Sequence, residues 1–168
     1  DCVAYGCTSG TIAAGYDTIK SKINLAKPDA KVTTPITSTI KALKKLGIKK
    51  ISIFTPYTKA INDSVVNYFK KENISVNSLT YFDIASDLDI GKVDENYLFQ
   101  VLSKIDLEDS DALFVSCTAL PVLSIIDKLE KKLNKIILSS NQTLIWDALN
   151  LIGNKDPVVG FGKIFEAN

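Results

Sequence analysis

Two stretches of this chain share one pattern, and the pattern restricts the possible folds more than any other feature. Residues 1–18 read DCVAYGCTSGTIAAGYDT, and residues 111–128 read DALFVSCTALPVLSIIDK. In each, an Asp stands six residues before a Cys, an apolar run leads into that Cys, a Thr follows it, and an apolar helical stretch begins two or three residues later. A short apolar run that ends at a small polar pair and turns into a helix is the βα unit of an open parallel sheet. Loops at the carboxyl ends of such strands hold ligands. Cys7 and Cys117 are therefore expected in two such loops, as the two halves of one site.

The remaining segments continue the alternation. Apolar runs at residues 2–6, 32–34, 48–54, 74–82, 112–115 and 135–138 read as strands. Helical spacing predicts helices over 9–22, 35–46, 59–71, 93–105, 120–133 and 142–151. Thr34, Pro35 and Gly47 mark the start and stop of the second helix, and Asp94 starts the fourth. Imperfect alternation in 74–82 places that strand near a sheet edge. Residues 83–89 read as an acidic loop, and 157–165 as extended or irregular.

Strands and helices connected by short loops argue an α/β fold with right-handed crossovers. Two similar Cys units so far apart in the chain are expected to form two pseudo-symmetric lobes of parallel sheet flanked by helices. The active site would lie in the cleft between them. Residues 1–46 and 140–168 would form the first lobe and 47–139 the second. With no Met anywhere and a strand at its very start, the chain is expected to lack earlier strands of the first lobe.

Composition narrows the chemistry mainly by what is missing. The chain has no His, no Met and no Arg among its 168 residues. Without His, Ser-His-Asp and Cys-His hydrolases are excluded, and three Cys with carboxylates make no plausible catalytic zinc set. Without Arg, a bound carboxylate has no bidentate guanidinium partner, so backbone N–H groups, hydroxyls, amides or Lys must hold it. The net charge of +1, with Lys and acidic residues interleaved, leaves no basic stripe for nucleic acid. No apolar run approaches membrane-spanning length. Three irregularly spaced Cys fit a reducing, cytoplasmic setting rather than a disulfide framework.

A thiol at the first turn of a helix feels the positive end of the helix dipole and free N–H groups, which favour thiolate. Both Cys7 and Cys117 are expected to benefit, with hydroxyls from Thr8, Ser9 and Thr118 beside them as candidate substrate contacts. Two thiols facing each other across a cleft can act on opposite faces of one planar carbon. That arrangement needs no cofactor. It suits racemisation α to a carboxylate, or thiolate addition to an activated alkene followed by rotation and elimination.

Five blocks, in order, carry a family resemblance. They are GCTSGT at residues 6–11, TPYT at 55–58, IGKVD at 90–94, SCTALP at 116–121 and SSNQTLIWDAL at 139–149. Together they resemble the aspartate/glutamate racemase superfamily, in the branch of maleate cis-trans isomerases, ectoine-utilisation proteins and arylmalonate decarboxylases. The resemblance implies that Cys7 and Cys117 are the two catalytic thiols, with Cys117 as nucleophile and Cys7 as its acid/base partner. It implies Tyr57 as a donor to a substrate carboxylate. Asp87 stands where the family often has an Asn, and an ionised Asp there would repel a carboxylate. A decarboxylase would be expected to keep only the second thiol, so Cys7 counts against that branch. The resemblance implies a small carboxylate substrate and no cofactor; a homodimer is compatible with the chain, and a relative that binds a small acid without turnover is the alternative reading.

Plainer readings stand beside these. Cys2 and Trp146 read as core, and Lys41, Lys44 and Lys45 as a solvated helix face. Tyr57 fits helix packing as well as ligand contact. Ser139, Ser140 and Asn141 fit a helix cap as well as substrate contact. The acidic residues Asp83, Asp87 and Asp89 read as a solvated loop rather than a metal site.

Overall fold

Six short strands, every neighbouring pair parallel, make two separate sheets in the computed structural model, which describes residues 1–154 and 156–166. The small sheet pairs β1 (Cys2–Ala4) with β2 (Lys31–Thr33). The larger one has β3 (Lys50–Thr55), β4 (Ser75–Tyr81), β5 (Ala112–Val115) and β6 (Ile136–Ser139), in the order β4-β3-β5-β6. Its inner strand β5 is buried throughout and β3 nearly so, which is why both read as continuous apolar runs. β4 forms an edge, in keeping with its imperfect alternation.

Helices α1 (Thr8–Ala14), α2 (Tyr16–Ala26), α3 (Pro35–Lys45), α4 (Lys59–Lys71), α5 (Asp87–Ile90), α6 (Glu95–Leu102), α7 (Ile126–Leu133) and α8 (Ser140–Leu151) fill the connections. The expected boundaries of α3, α4 and α8 hold to within two residues. Three expectations are corrected. The helix expected over 9–22 is two helices, because Gly15 at φ 81° and ψ 140° breaks the path between α1 and α2, a conformation that favours glycine. The helix expected from residue 120 is delayed to a 3-10 turn at Leu123–Ile125 followed by α7. Pro121 disfavours helical geometry at Leu120. The acidic loop contains the short α5, whose N-cap Ser86 accepts the Asp89 N–H.

Capping is mixed. Asp94 Oδ1 accepts the Tyr97 N–H at 2.8 Å and starts α6 as expected. Thr34 stands at the N-cap of α3, but its hydroxyl meets that of Thr37 at 2.8 Å and caps no backbone group. Ser139 begins α8 with a full capping box shared with Gln142.

One continuous buried cluster runs from Ile36 and Leu43 of α3 through Ile51, Phe54 and Phe114 of the larger sheet to Trp146 and Phe165. α8 leaves the larger sheet at β6 and packs on α3, β1 and β2. Its Asp147 is buried; Oδ2 accepts from the Thr33 hydroxyl, and Oδ2 and Oδ1 accept from Lys41 Nζ at 2.8 and 2.9 Å. Lys41 is thus not part of a merely solvated face. Removing one partner of such a pair strands the other polar groups. Asp147→Ala is expected to cost about 2 kcal/mol in urea unfolding, since Thr33 loses its partner while half-exposed Lys41 regains water; an unchanged midpoint would remove α8 docking from this ion pair.

Candidate active site

β1 delivers Cys7 to the N-cap of α1, where its extended backbone (φ −134°, ψ 115°) turns the sulfur back onto the helix. Cys7 Sγ accepts the Gly10 N–H at 3.2 Å and lies 3.8 Å from Ser9 Oγ. The Thr11 hydroxyl donates to the Cys7 carbonyl at 2.6 Å and fixes the loop from below. Gly10 is required by space: a Cβ there would sit 2.8 Å from Cys7 Sγ and 2.8 Å from Tyr5 Oη. The thiol is partly exposed.

Cys117 follows β5 with φ at +94°, a region that non-glycine residues avoid at a cost of about 1–3 kcal/mol. The conformation is held from three sides. Ser116 N–H donates to Phe54 O at 2.8 Å, Cys117 N–H to Ser140 Oγ at 3.1 Å, and Ala119 N–H to Cys117 Sγ at 3.4 Å. No helix begins at this thiol, because the turn around Pro121 postpones it. The expectation that a helix dipole would favour its thiolate is therefore corrected. Burial pushes the Cys117 thiol up, and the Asp87 carboxylate adds to that; the Ala119 and Leu120 N–H groups and the Tyr57 phenol pull the other way without prevailing.

The two loops are sewn to each other. Thr118 Oγ1 donates to Gly6 O at 2.8 Å, and Asn141 Nδ2 donates to Thr118 O at 2.9 Å. Thr8 Oγ1 meets Ser140 Oγ at 2.9 Å, and that same Ser140 oxygen receives the Cys117 amide. Residues next to each thiol are thus bonded across a sequence gap of more than 100 residues. Thr8, Thr118, Ser140 and Asn141, expected at the substrate, use these groups to hold the loops together.

Tyr57 is buried, and its backbone is pinned by Thr55 Oγ1 and Asn62 Nδ2. Burial, with the neighbouring Cys117, raises its phenol far above the ordinary tyrosine range, while the Ser116 and Thr8 hydroxyls oppose this weakly. The phenol is therefore a neutral donor placed among residues of both loops. Ser116 Oγ, fully buried, meets no partner at hydrogen-bonding geometry among the described residues. Asp87 stands exposed at the start of α5 with its charge felt at Cys117.

Sequence reading missed Tyr5 and Ser116, the near neighbours of the two thiols, because a Tyr or Ser in an apolar strand carries no separate signal. Cys2 lies in β1 with its thiol pushed up by burial and by Asp147, and Trp146 is buried as expected. A cavity of about 440 Å³ opens beside the Cys7 loop, between α1 and α4, lined by Ser9, Gly10, Ile12, Ala13, Ile61 and Ser64 among others. A larger one, about 670 Å³, lies against α8 and β1 and touches neither of the paired thiols. Among the described residues no group of three or more His, Cys, Asp or Glu side chains is placed to hold a metal.

Comparison with known proteins gives a consistent likeness. A family model described as arylmalonate decarboxylase matches residues 17–165. The maleate isomerase of Geobacillus stearothermophilus is 28% identical over 173 residues, covering 98% of this chain and 68% of that protein. The crystal structure of the maleate isomerase Iso from Pseudomonas putida S16 superposes with a TM-score of 0.91 at 23% identity, covering 100% of this chain and 71% of that one. A cysteine-to-serine variant of the Nocardia farcinica maleate cis-trans isomerase, with a covalently bound succinylcysteine intermediate, superposes with a TM-score of 0.89 at 19% identity, covering 99% and 71%. At these identities the structures speak to the fold.

The Cys117 environment makes a direct prediction. In a Cys2→Ser, Cys7→Ser background, thiolate absorbance should rise with a midpoint above the ordinary thiol value of about 8.5, because a raised pKa keeps the thiol neutral at pH 7. Tyr57→Phe removes a donor to the thiolate and should move the midpoint higher still; a midpoint below the ordinary value would contradict the burial argument.

Proposed function

Because this chain belongs to the arylmalonate decarboxylase family, we propose that it is a cofactor-independent enzyme whose two thiols isomerise a small cis-dicarboxylate of the maleate type. The observation that carries the reading is the sewing of the Cys7 and Cys117 loops into one unit through Thr118, Gly6, Thr8 and Ser140. The likeness to maleate isomerases along nearly the whole chain supports the choice of substrate. Two lobes, residues 1–46 with 140–168 and residues 47–139, would supply one thiol each.

The surroundings of the thiols favour a division of labour opposite to the one that the resemblance implies. Cys7, partly exposed and accepting an N–H from Gly10, suits the nucleophile. Cys117, buried and held protonated, suits the proton donor. In the first step the Cys7 thiolate adds to one alkene carbon, forming a C–S bond as the π electrons move to the second carbon. The Cys117 thiol protonates that carbon and becomes a thiolate. The former double bond is now single and rotates. Cys117 then removes a proton from the second carbon, the double bond re-forms in the trans arrangement, and the C–S bond breaks to release Cys7 thiolate. Protons and electrons balance within the cycle, so no external acid, base or redox partner is consumed.

Tyr57, a neutral phenol, suits a donor to the carboxylate that gains charge during addition. Asp87 opposes anion binding near Cys117, and the reading places it at the entrance rather than against substrate. The presence of Cys7 weighs against decarboxylation of a malonate.

Turnover is tested by loss of maleate absorbance and appearance of fumarate. Cys7→Ser and Cys117→Ser are each expected to lower kcat by at least about a thousandfold, as for removal of a nucleophile or its proton partner. Full activity in either variant would overturn the two-thiol mechanism. If the protein instead inverts the α-carbon of aspartate or glutamate, seen as a change in optical rotation, the racemase chemistry of the wider superfamily replaces the isomerase reading.

A further inference from the structure

On the Cys7 side of the site, one side-chain donor is left unoccupied among the described residues. Thr8 is bonded to Ser140, Thr118 to Gly6, and Asn141 to Thr118. Tyr5 is different. It is 37% exposed, and its hydroxyl makes no hydrogen bond to any described residue. Yet its ring folds back over the start of α1, so that the same point above Gly10 is 2.8 Å from both Tyr5 Oη and Cys7 Sγ. The two atoms are therefore separated by no more than twice that distance.

That span has a chemical size. A carbon in contact with Cys7 sulfur, carrying its own carboxylate, would place a carboxylate oxygen within hydrogen-bonding reach of the phenol. With no Arg or His in the chain, neutral hydroxyl donors are the groups left to hold such an anion, apart from Lys and backbone N–H. We propose that Tyr5 holds the carboxylate borne by the carbon that Cys7 attacks, as the counterpart of Tyr57 at the other end of a small dicarboxylate. This rests on the isomerase reading above and adds to it a residue that fixes one end of the substrate. While the central bond rotates, that end stays anchored to Cys7 and Tyr5 and the other end turns.

The anchored carboxylate is bound alike in substrate, adduct and product. Removing its donor should therefore weaken binding in all of them and leave the chemical step nearly as fast. The gap left by Gly10 has the same logic, since a methyl group there would push on both the thiol and the phenol.

The test is Tyr5→Phe, which keeps the ring and removes only the hydroxyl. The KM for maleate should rise about tenfold, the loss of one hydrogen bond to a charged group, with kcat changed by less than about twofold and the melting temperature unchanged. A fall in kcat at constant KM would make Tyr5 a modifier of Cys7 chemistry instead, and overturn the anchor. Unchanged kinetics, or a lowered melting temperature that accounts for the loss, would overturn it also. A second measurement separates this from failure of the isomerase reading itself. Calorimetric binding of succinate, a saturated dicarboxylate, should be about tenfold weaker for Tyr5→Phe than for the wild type. If the wild type turns over no maleate but shows that difference, the isomerase reading falls and the Tyr5 anchor stands. Equal binding by both proteins, or binding by neither, overturns the anchor whatever the turnover.

Discussion

The bond from the Cys117 amide to Ser140 Oγ is the interaction on which the rest of this structure turns. Cys117 occupies a left-handed conformation that nothing in its own side chain favours. Ser140 compensates by taking the amide, and it does so from the first residue of α8, the helix that leaves the larger sheet and packs on the smaller one. The same oxygen meets Thr8, next to Cys7. One hydroxyl therefore couples the strained turn, the helix that joins the two sheets and the loop of the first thiol. Asp147, two turns further along α8, fixes that helix against β2 and α3. Loosening α8 would at once relax Cys117 and separate the thiols.

The electrostatics follow from the same scarcity of charge. With no Arg and no His, the site is built from hydroxyls, amides and two thiols in unlike surroundings. Cys7 is partly open to solvent and accepts the Gly10 N–H, whereas Cys117 is enclosed and kept protonated by burial and by Asp87. Two chemically identical groups so placed can serve as nucleophile and acid. Burial makes most of the difference, and the Asp87 carboxylate adds to it.

Much of this was legible in the sequence. The doubled Asp-apolar-Cys-Thr pattern located both loops, apolar runs located the strands, and the Ser139, Ser140 and Asn141 cap placed the start of α8 to within two residues. What stayed hidden has a physical reason in each case. Pro121 acts on the residue before it, so apolar periodicity alone placed the helix three residues too early and misjudged the Cys117 thiol. Gly15 was invisible to helical spacing because apolar residues recur on both sides of the break. Thr8, Ser140, Thr118 and Asn141 read as ligand groups, since sequence gives the chemistry of a side chain and not its partner; in the structure Thr8 meets Ser140, Thr118 donates to Gly6 O and Asn141 to Thr118 O. Tyr5 looked like a strand residue until its ring was seen turned back over Gly10.

The central claim is that the thiols have distinct and fixed roles, with Cys7 bonding to the substrate and Cys117 moving the proton. Peptide mass spectrometry of the Cys117→Ser variant incubated with maleate addresses it directly. The account predicts a succinyl adduct on Cys7 in that variant, its second carbon slowly protonated by solvent in place of Cys117, and none on the remaining thiols of Cys7→Ser. An adduct on Cys117 in the Cys7→Ser protein, with Cys7 unmodified in its counterpart, would contradict it.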